Sequence, residues 1–246
     1  MYKFKKDLDN FDVSDVKIIY FLHIPKTSGS SLEPSSPIDG YYTRTKEKKI
    51  RYFNIGHKFH VKKSYNLPAK LGGHKDFHFD FFENAFDCYN IFPNFKFTLI
   101  RNPYDLLVSY YNHRPCNGWA SVNRILGIKS FKDFIYKYCD ETTKWPQPFL
   151  KKNLFSQIFD ENNKCCIDLI IKYEYRTEAL KLLMDKFNLD FTDLDKKVRV
   201  NNNKRNYKEY YTPELIEMVR NKCRFELETF KYNFEGNLDD NYFITL

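Results

Sequence analysis

The chain has 246 residues, 42% of them hydrophobic and 18% aromatic, which is ample core material for one α/β domain and excludes the disordered, collagen-like and short disulfide-stapled classes. Its net charge of +8 predicts a negatively charged partner, whether a phosphorylated nucleotide, a nucleic acid or an acidic glycan. No apolar run approaches the roughly 20 residues that cross a bilayer, and the N-terminal MYKFKKDLDNFDVSD lacks the apolar stretch of a signal peptide, so a soluble, cytoplasmic chain is expected.

In chain order, residues 16–24 (VKIIYFLHI) form a nearly continuous apolar run, which suits a central strand buried on both faces of a parallel sheet. PKTSGSSL follows at once, and Pro34 and Pro37 stop any helix that starts there. Residues 35–70 are polar, basic and aromatic and read as irregular, and 80–89 read as a short helix. A second buried strand is expected at 95–100 (FKFTLI). It ends in Arg101-Asn102-Pro103, where Pro103 opens a helix over 104–112.

A helix at 131–138 carries Phe131, Phe134, Ile135 and Tyr138 on one side. Residues 166–173 (CIDLIIKY) form a third strand, and 177–188 an amphipathic helix with Leu180, Leu183, Met184 and Phe187 inward. Thr212-Pro213-Glu214 starts a helix with Thr as N-cap and Pro at the first position. It is expected to run to about residue 230, with Leu215, Val219, Cys223 and Leu227 on its inner face. Strands alternating with helices imply a parallel α/β sheet. The six cysteines contain no CxxC pair, and Cys165–Cys166 are adjacent. They read as reduced, mostly buried thiols rather than zinc ligands.

Two segments carry chemistry. In the first, His23 to Leu32, successive backbone N–H groups at a strand-to-helix turn can form an anion nest. Gly29 permits close approach of the backbone, Thr27, Ser28, Ser30 and Ser31 offer hydroxyls, and Lys26 supplies a mobile charge. Lys26 precedes Gly29, which is not the GxxxxGK[ST] order of a Walker A loop, so ATP hydrolysis is a minor reading. A Ser-rich turn with a solvated Lys is the bland alternative.

In the second segment, Arg101 stands at the carboxyl end of a buried strand, where open α/β sheets bind ligands, and its planar fork suits a phosphate. Ser109, two helical turns further on, can offer a hydroxyl to the same anion. The alternative is an Arg101–Asp105 pair across the helix start, with a buried Ser109.

Together, PKTSGSSL after one strand and IRNPYDLLVSYY after another resemble the two nucleotide-binding signatures of the sulfotransferases that use 3′-phosphoadenosine 5′-phosphosulfate (PAPS). The nearest flavour is the carbohydrate type, including heparan sulfate 2-O-sulfotransferase-like and bacterial relatives. Ile170-Ile171-Lys172-Tyr173-Glu174, Asn201 to Tyr211 and Phe230 to Phe234 add looser matches.

The resemblance implies an α/β, P-loop NTPase-like fold: a central parallel sheet flanked by helices in three layers. It implies one domain over 1–246, with a C-terminal helical module at about 200–246 packed on the core. It implies transfer of a sulfuryl group from PAPS to a hydroxyl of a glycan acceptor, with 3′-phosphoadenosine 5′-phosphate (PAP) as product and no required metal. Lys26 would contact the bridging and sulfuryl oxygens. Thr27, Ser28, Gly29, Ser30 and Ser31 would cradle the 5′ end, and Arg101 and Ser109 would bind the 3′-phosphate, with Arg205 near the donor. The chain departs from the family where an Arg often follows the Asp of the second motif: here it is Leu106.

Sulfuryl transfer needs a proton acceptor at the acceptor hydroxyl, and His titrates near neutrality. His74, in Leu71-Gly72-Gly73-His74, resembles the Gly-His base of 2-O-sulfotransferase-like enzymes, and His57 is the second candidate. The His57/His60 and His74/His78 spacings also allow a metal pair on a helical face, without an accompanying carboxylate motif. The basic run 44–51 reads as a solvated loop or as a rim for an acidic glycan.

Two other classes stay open. A nucleotide-dependent kinase on a related fold predicts affinity for ATP–Mg²⁺. A non-catalytic module for nucleic acid or acidic glycan predicts salt-sensitive polymer binding, although no nucleic-acid fold motif is present. Acceptor specificity is expected in the loops at 35–75 and 113–165.

Overall fold

The computed structural model describes residues 3–8, 18–22, 24, 26–27, 51–54, 95–112, 126–145, 150, 154–155, 158–159, 164–187, 206–237 and 239–245. The chain divides into two compact units. One comprises Met1–Ile100, Gln157–Val200 and Asp240–Leu246, and the other Arg101–Ser156 and Asn201–Asp239.

The first unit is built on a sheet. Among the described residues, six strands lie in the order β1-β6-β5-β4-β2-β3. They are β1 (Lys3–Lys5), β2 (Ile18–Leu22), β3 (Arg51–Asn54), β4 (Phe95–Ile100), β5 (Leu169–Lys172) and β6 (Phe243–Thr245). The four strands β3, β2, β4 and β5 run parallel, whereas β6 pairs antiparallel with β5 and β1 antiparallel with β6. This is an α/β fold, and its sheet is mixed with a parallel centre where the sequence led to a parallel sheet throughout, because β6 and β1 join it antiparallel.

The apolar run of β4 is buried on both faces. Phe95, Phe97 and Leu99 join a cluster with Leu169, Ile171 and, from helix α3 (Arg176–Phe187), Ala179, Leu180, Leu183 and Phe187. Thr98 and Ile100, on the other face, are equally inaccessible. The Phe95 and Phe187 rings lie 4.6 Å apart, and each such buried side chain contributes about 1.5–3 kcal/mol. At the opposite end of β4, Lys96 N–H donates to Asp168 Oδ2 at 2.7 Å and Asp168 N–H donates back to the Lys96 carbonyl at 2.9 Å. This exchange fixes the entry into β5.

Three strands differ from the sequence expectation. β3 falls inside the stretch read as irregular; at four residues it is too short to announce itself, and it exists because β2 offers a parallel partner. β1 and β6 have three residues each and form through their pairing with each other and with β5, so the chain end at Phe243–Thr245 is strand. The proposed helix at 80–89 lies outside the described residues.

The second unit is helical: α1 (Pro103–Asn112), α2 (Phe131–Cys139), α4 (Pro213–Lys222) and α5 (Arg224–Phe230), with a 3₁₀ turn at Tyr207–Tyr210. Ser130 and Asp133 form a capping box at the start of α2, and the backbone bonds from Lys129 and Ser130, with the Ser130 side chain, hold the Asp133 carboxyl below its ordinary value. Thr212 caps α4 with Pro213 behind it, as the sequence indicated.

The single helix expected to about residue 230 is two helices. Cys223 adopts φ −102°, ψ 23°, yet still donates to the Val219 carbonyl and accepts from Leu227 N–H, so the two helices meet there without losing their common inner face. Leu215, Val219, Cys223 and Leu227 are all buried. The core of this unit is aromatic: Phe134 stands edge-on to Trp145 at 5.6 Å, and Tyr104 to Tyr211 at 5.4 Å. Among the described residues no helix is long and apolar enough to cross a membrane.

Candidate functional site

The first segment lies at the carboxyl end of β2, in the first unit. Leu22 is in register with Thr98 of the neighbouring parallel strand β4, so the two strands finish at the same edge of the sheet. Thr98 is fully buried and its hydroxyl donates to the Leu22 carbonyl at 2.7 Å, satisfying the strand-end acceptor where β2 gives way to the loop.

The loop then turns sharply. Thr27 N–H and Thr27 Oγ1–H both donate to the Ile24 carbonyl, at 3.4 and 2.8 Å, closing a four-residue turn. Lys26 is its third residue and has φ 67°. A positive φ at that position marks a type II turn, and the sequence supplies the proline that such turns favour at the second position. A lysine in the left-handed region costs about 1–2 kcal/mol, strain of the kind that collects at ligand-binding turns. Lys26 is half-buried, and Thr27 is fully buried with its hydroxyl proton committed to Ile24. Thr27 therefore braces the turn that presents Lys26.

The second segment belongs to the second unit, beginning with the residue after β4. Asn102 is the N-cap of α1: its carbonyl accepts from Leu106 N–H at 2.8 Å and its side-chain Oδ1 from Tyr104 N–H at 3.0 Å. Its Nδ2 donates to the carbonyls of Asn233, at 2.8 Å, and Gly236, at 3.4 Å. The 233–236 turn is also held by Tyr207, whose hydroxyl donates to the Phe234 carbonyl at 2.6 Å. The start of α1 is thus tied to the C-terminal part of its own unit through one buried amide.

Along α1 the burial pattern has a period of four. From Arg101 to Tyr110, Arg101, Asp105 and Ser109 are half-buried, and every residue between them is buried. Residues four apart share a helix face, so these three line one stripe. The Arg101 guanidinium donates from Nε to Asp105 Oδ2 at 2.7 Å, and its Nη2 lies 2.6 Å from the same oxygen, with the two side chains 12% and 24% exposed. The pairing that the sequence left as an alternative for Arg101 is therefore present. Under the stripe, burial pushes the Tyr110 phenol far up, and the Arg101 charge pulls it back. Burial likewise pushes the Tyr104 phenol up to about 12, so it is neutral and hydrogen-bonding throughout the physiological range.

Of the residues singled out from the sequence, the structure describes Lys26 and Thr27 in one unit and Arg101 and Ser109 in the other. Ser28, Gly29, Ser30, Ser31, His57, His74 and Arg205 lie outside the described residues, as do His60 and His78. Among the described residues no group of three or more His, Cys, Asp or Glu is placed to hold a metal ion. Sequence reasoning missed the work of Thr98 and Asn102. Asn102, between an Arg and a Pro at a strand-to-helix junction, carried the signal of an N-cap, but its bridge to residues 233 and 236 had none.

No protein-family model and no curated protein matches the chain. A search of solved structures finds the crystal structure of the mouse sulfotransferase SULT7A1 complexed with PAP. It is 16% identical, with 88% of each chain covered and a TM-score of 0.43.

Proposed function

We propose that this chain is a sulfotransferase that moves a sulfuryl group from PAPS to a hydroxyl, with a carbohydrate as the acceptor class. The observation that carries the reading is the pairing of β2 with β4. Two adjacent parallel strands of the first unit end at one sheet edge, and the first runs into the strained Lys26 turn. Open α/β sheets bind their ligands at carboxyl ends of this kind.

In this reading Lys26 lies against the leaving phosphate, where negative charge grows as the sulfur–oxygen bond breaks. Residues 27–31 hold the 5′ end of the donor through backbone N–H groups and hydroxyls. Arg101 and Ser109 hold the 3′-phosphate from the accessible stripe of α1, and Arg205 adds charge nearby. Their chemistry fits a bisphosphorylated nucleotide: a planar fork and a hydroxyl on one helix face, and a point charge on a turn.

The acceptor oxygen attacks sulfur in line and the PAP phosphate leaves with the bond's electron pair. The hydroxyl proton passes to His74, with His57 as the alternative base. The products are a sulfate ester and PAP. As in phosphoryl transfer, positioning and charge stabilisation supply most of the acceleration. The net charge of +8 favours an acidic glycan.

The test is transfer of labelled sulfate from PAPS to a panel of glycans, with tyrosine peptides and small alcohols alongside. Lys26→Ala and His74→Ala are expected to lower kcat by at least about 100-fold, and Arg101→Ala to raise KM for PAPS. Wild-type turnover in both Lys26→Ala and Arg101→Ala would overturn the assignment.

A further inference from the structure

We propose that Asp105 is a positioning residue: it fixes the plane of the Arg101 guanidinium and so sets discrimination between 3′-phosphorylated nucleotides and those lacking that phosphate. The inference rests on the donor reading above and names a residue that reading does not use. A carboxylate next to an anion-binding arginine subtracts attraction, so charge alone argues against Asp105. Geometry argues for it. Two contacts from Arg101, a hydrogen bond through Nε and an ion pair through Nη2, converge on the single oxygen Oδ2. A guanidinium carries five N–H donors in one rigid plane, and two contacts along one edge dictate where the rest of that plane points.

The helix supplies the rest of the argument. Arg101 precedes α1, and Asp105 and Ser109 follow at successive intervals of four, the half-buried residues of this stretch. Asp105 therefore stands between the two residues assigned to the 3′-phosphate. Its own backbone is fixed, because the first turn of α1 is capped by Asn102 and flanked by Leu106 and Leu107, both fully buried. A free arginine has many rotamers, and immobilising it on binding costs affinity. Asp105 imposes that order before the ligand arrives, and the neutralised pair binds by fit rather than by long-range attraction.

The experiment is calorimetric titration of the full chain with PAP and, separately, with 5′-AMP, which differs by the 3′-phosphate alone. Asp105→Ala is expected to weaken PAP by roughly tenfold and to leave 5′-AMP unchanged, so the affinity ratio collapses. Asp105→Asn keeps an oxygen acceptor for the guanidinium and is expected to retain the wild-type ratio. Asp105→Glu keeps the charge but displaces it by one methylene, and is expected to lose the ratio. This variant decides the question if the alanine variant does not fold.

An unchanged ratio in both Asp105→Ala and Asp105→Glu overturns the proposal, as does an equal loss for both nucleotides. Arg101→Ala separates the two levels. If it retains the PAP preference, the donor reading itself falls; if it abolishes the preference while Asp105→Ala does not, only the positioning role falls.

Discussion

Asn102 makes the most demanding structural prediction. It is 2% exposed and, besides its own backbone bond, engages Tyr104 N–H, the Asn233 carbonyl and the Gly236 carbonyl. Asn102→Ala removes the cap of α1, worth about 1 kcal/mol. It also removes the bridge to the Asn233 and Gly236 carbonyls, which keep each other's backbone N–H donors, a loss of about 0.5–1.5 kcal/mol. The expected total of about 2 kcal/mol corresponds to a fall in thermal midpoint of roughly 4–8 °C for a chain of this size.

Two further variants divide that loss. Asn102→Ser keeps a capping oxygen and gives up only the bridge, so it should fall between wild type and alanine. Asn102→Asp keeps the cap and adds a favourable charge at the helix start, but sets a carboxylate against two carbonyls. It should therefore be the least stable of the three. The assay is thermal unfolding followed by tryptophan fluorescence, since Trp145 is buried in the same unit. An Asn102→Ala midpoint within about 2 °C of wild type refutes the reasoning, because loss of the cap alone exceeds that. So does an aspartate variant more stable than the serine one.

Two further predictions concern strain and burial. Lys26→Gly relieves the left-handed backbone, so it should unfold about 1 kcal/mol later than wild type while losing sulfuryl transfer; a less stable glycine variant contradicts the turn geometry. Glu226 is 1% exposed, accepts from Leu154 N–H at 2.8 Å through Oε1, and among the described residues has no hydrogen-bond partner on Oε2. Burial raises its pKa above the ordinary 4.5, so the folded state binds the proton more tightly than the unfolded state. Its contribution to stability is complete below that value and is lost as pH climbs through the raised one. Urea midpoints at pH 5 and pH 8 should therefore fall less in Glu226→Gln than in wild type; parallel falls contradict the assignment.

How far the sequence was legible follows from what each element depends on. β4 could be read to its exact bounds because its apolar run is buried on both faces and Pro103 marks its exit. α4 carried its cap in plain view at Thr212, and α2 was read from its apolar face, with its Ser130 cap seen only in the structure. β3 and β6 could not be read, because three or four residues become a strand only when a partner strand accepts them. The break at Cys223 was hidden for a related reason: the inner face Leu215, Val219, Cys223, Leu227 stays continuous across it.

At the candidate site, the sequence pointed to Lys26 and Arg101 as cations at strand ends. It did not show that Lys26 sits at positive φ, that Thr98 seals β2, or that Arg101 is held by Asp105. Those depend on hydrogen-bond geometry, which spacing alone cannot convey. Asp105 was visible only as one side of an alternative, ion pair or ligand site. The period-four stripe shows that the ion pair and the residues assigned to the ligand share one helix face.

The central claim is that the chain binds a 3′,5′-bisphosphorylated adenosine. The most direct measurement is thermal unfolding with PAP against ADP and ATP–Mg²⁺, in wild type and in Arg101→Ala. At 100 times its Kd, PAP should add about 2.7 kcal/mol, selectively, and the gain should disappear in the arginine variant. No shift with PAP, or a larger one with ATP–Mg²⁺, would contradict the account and return the chain to the kinase or binding-module classes.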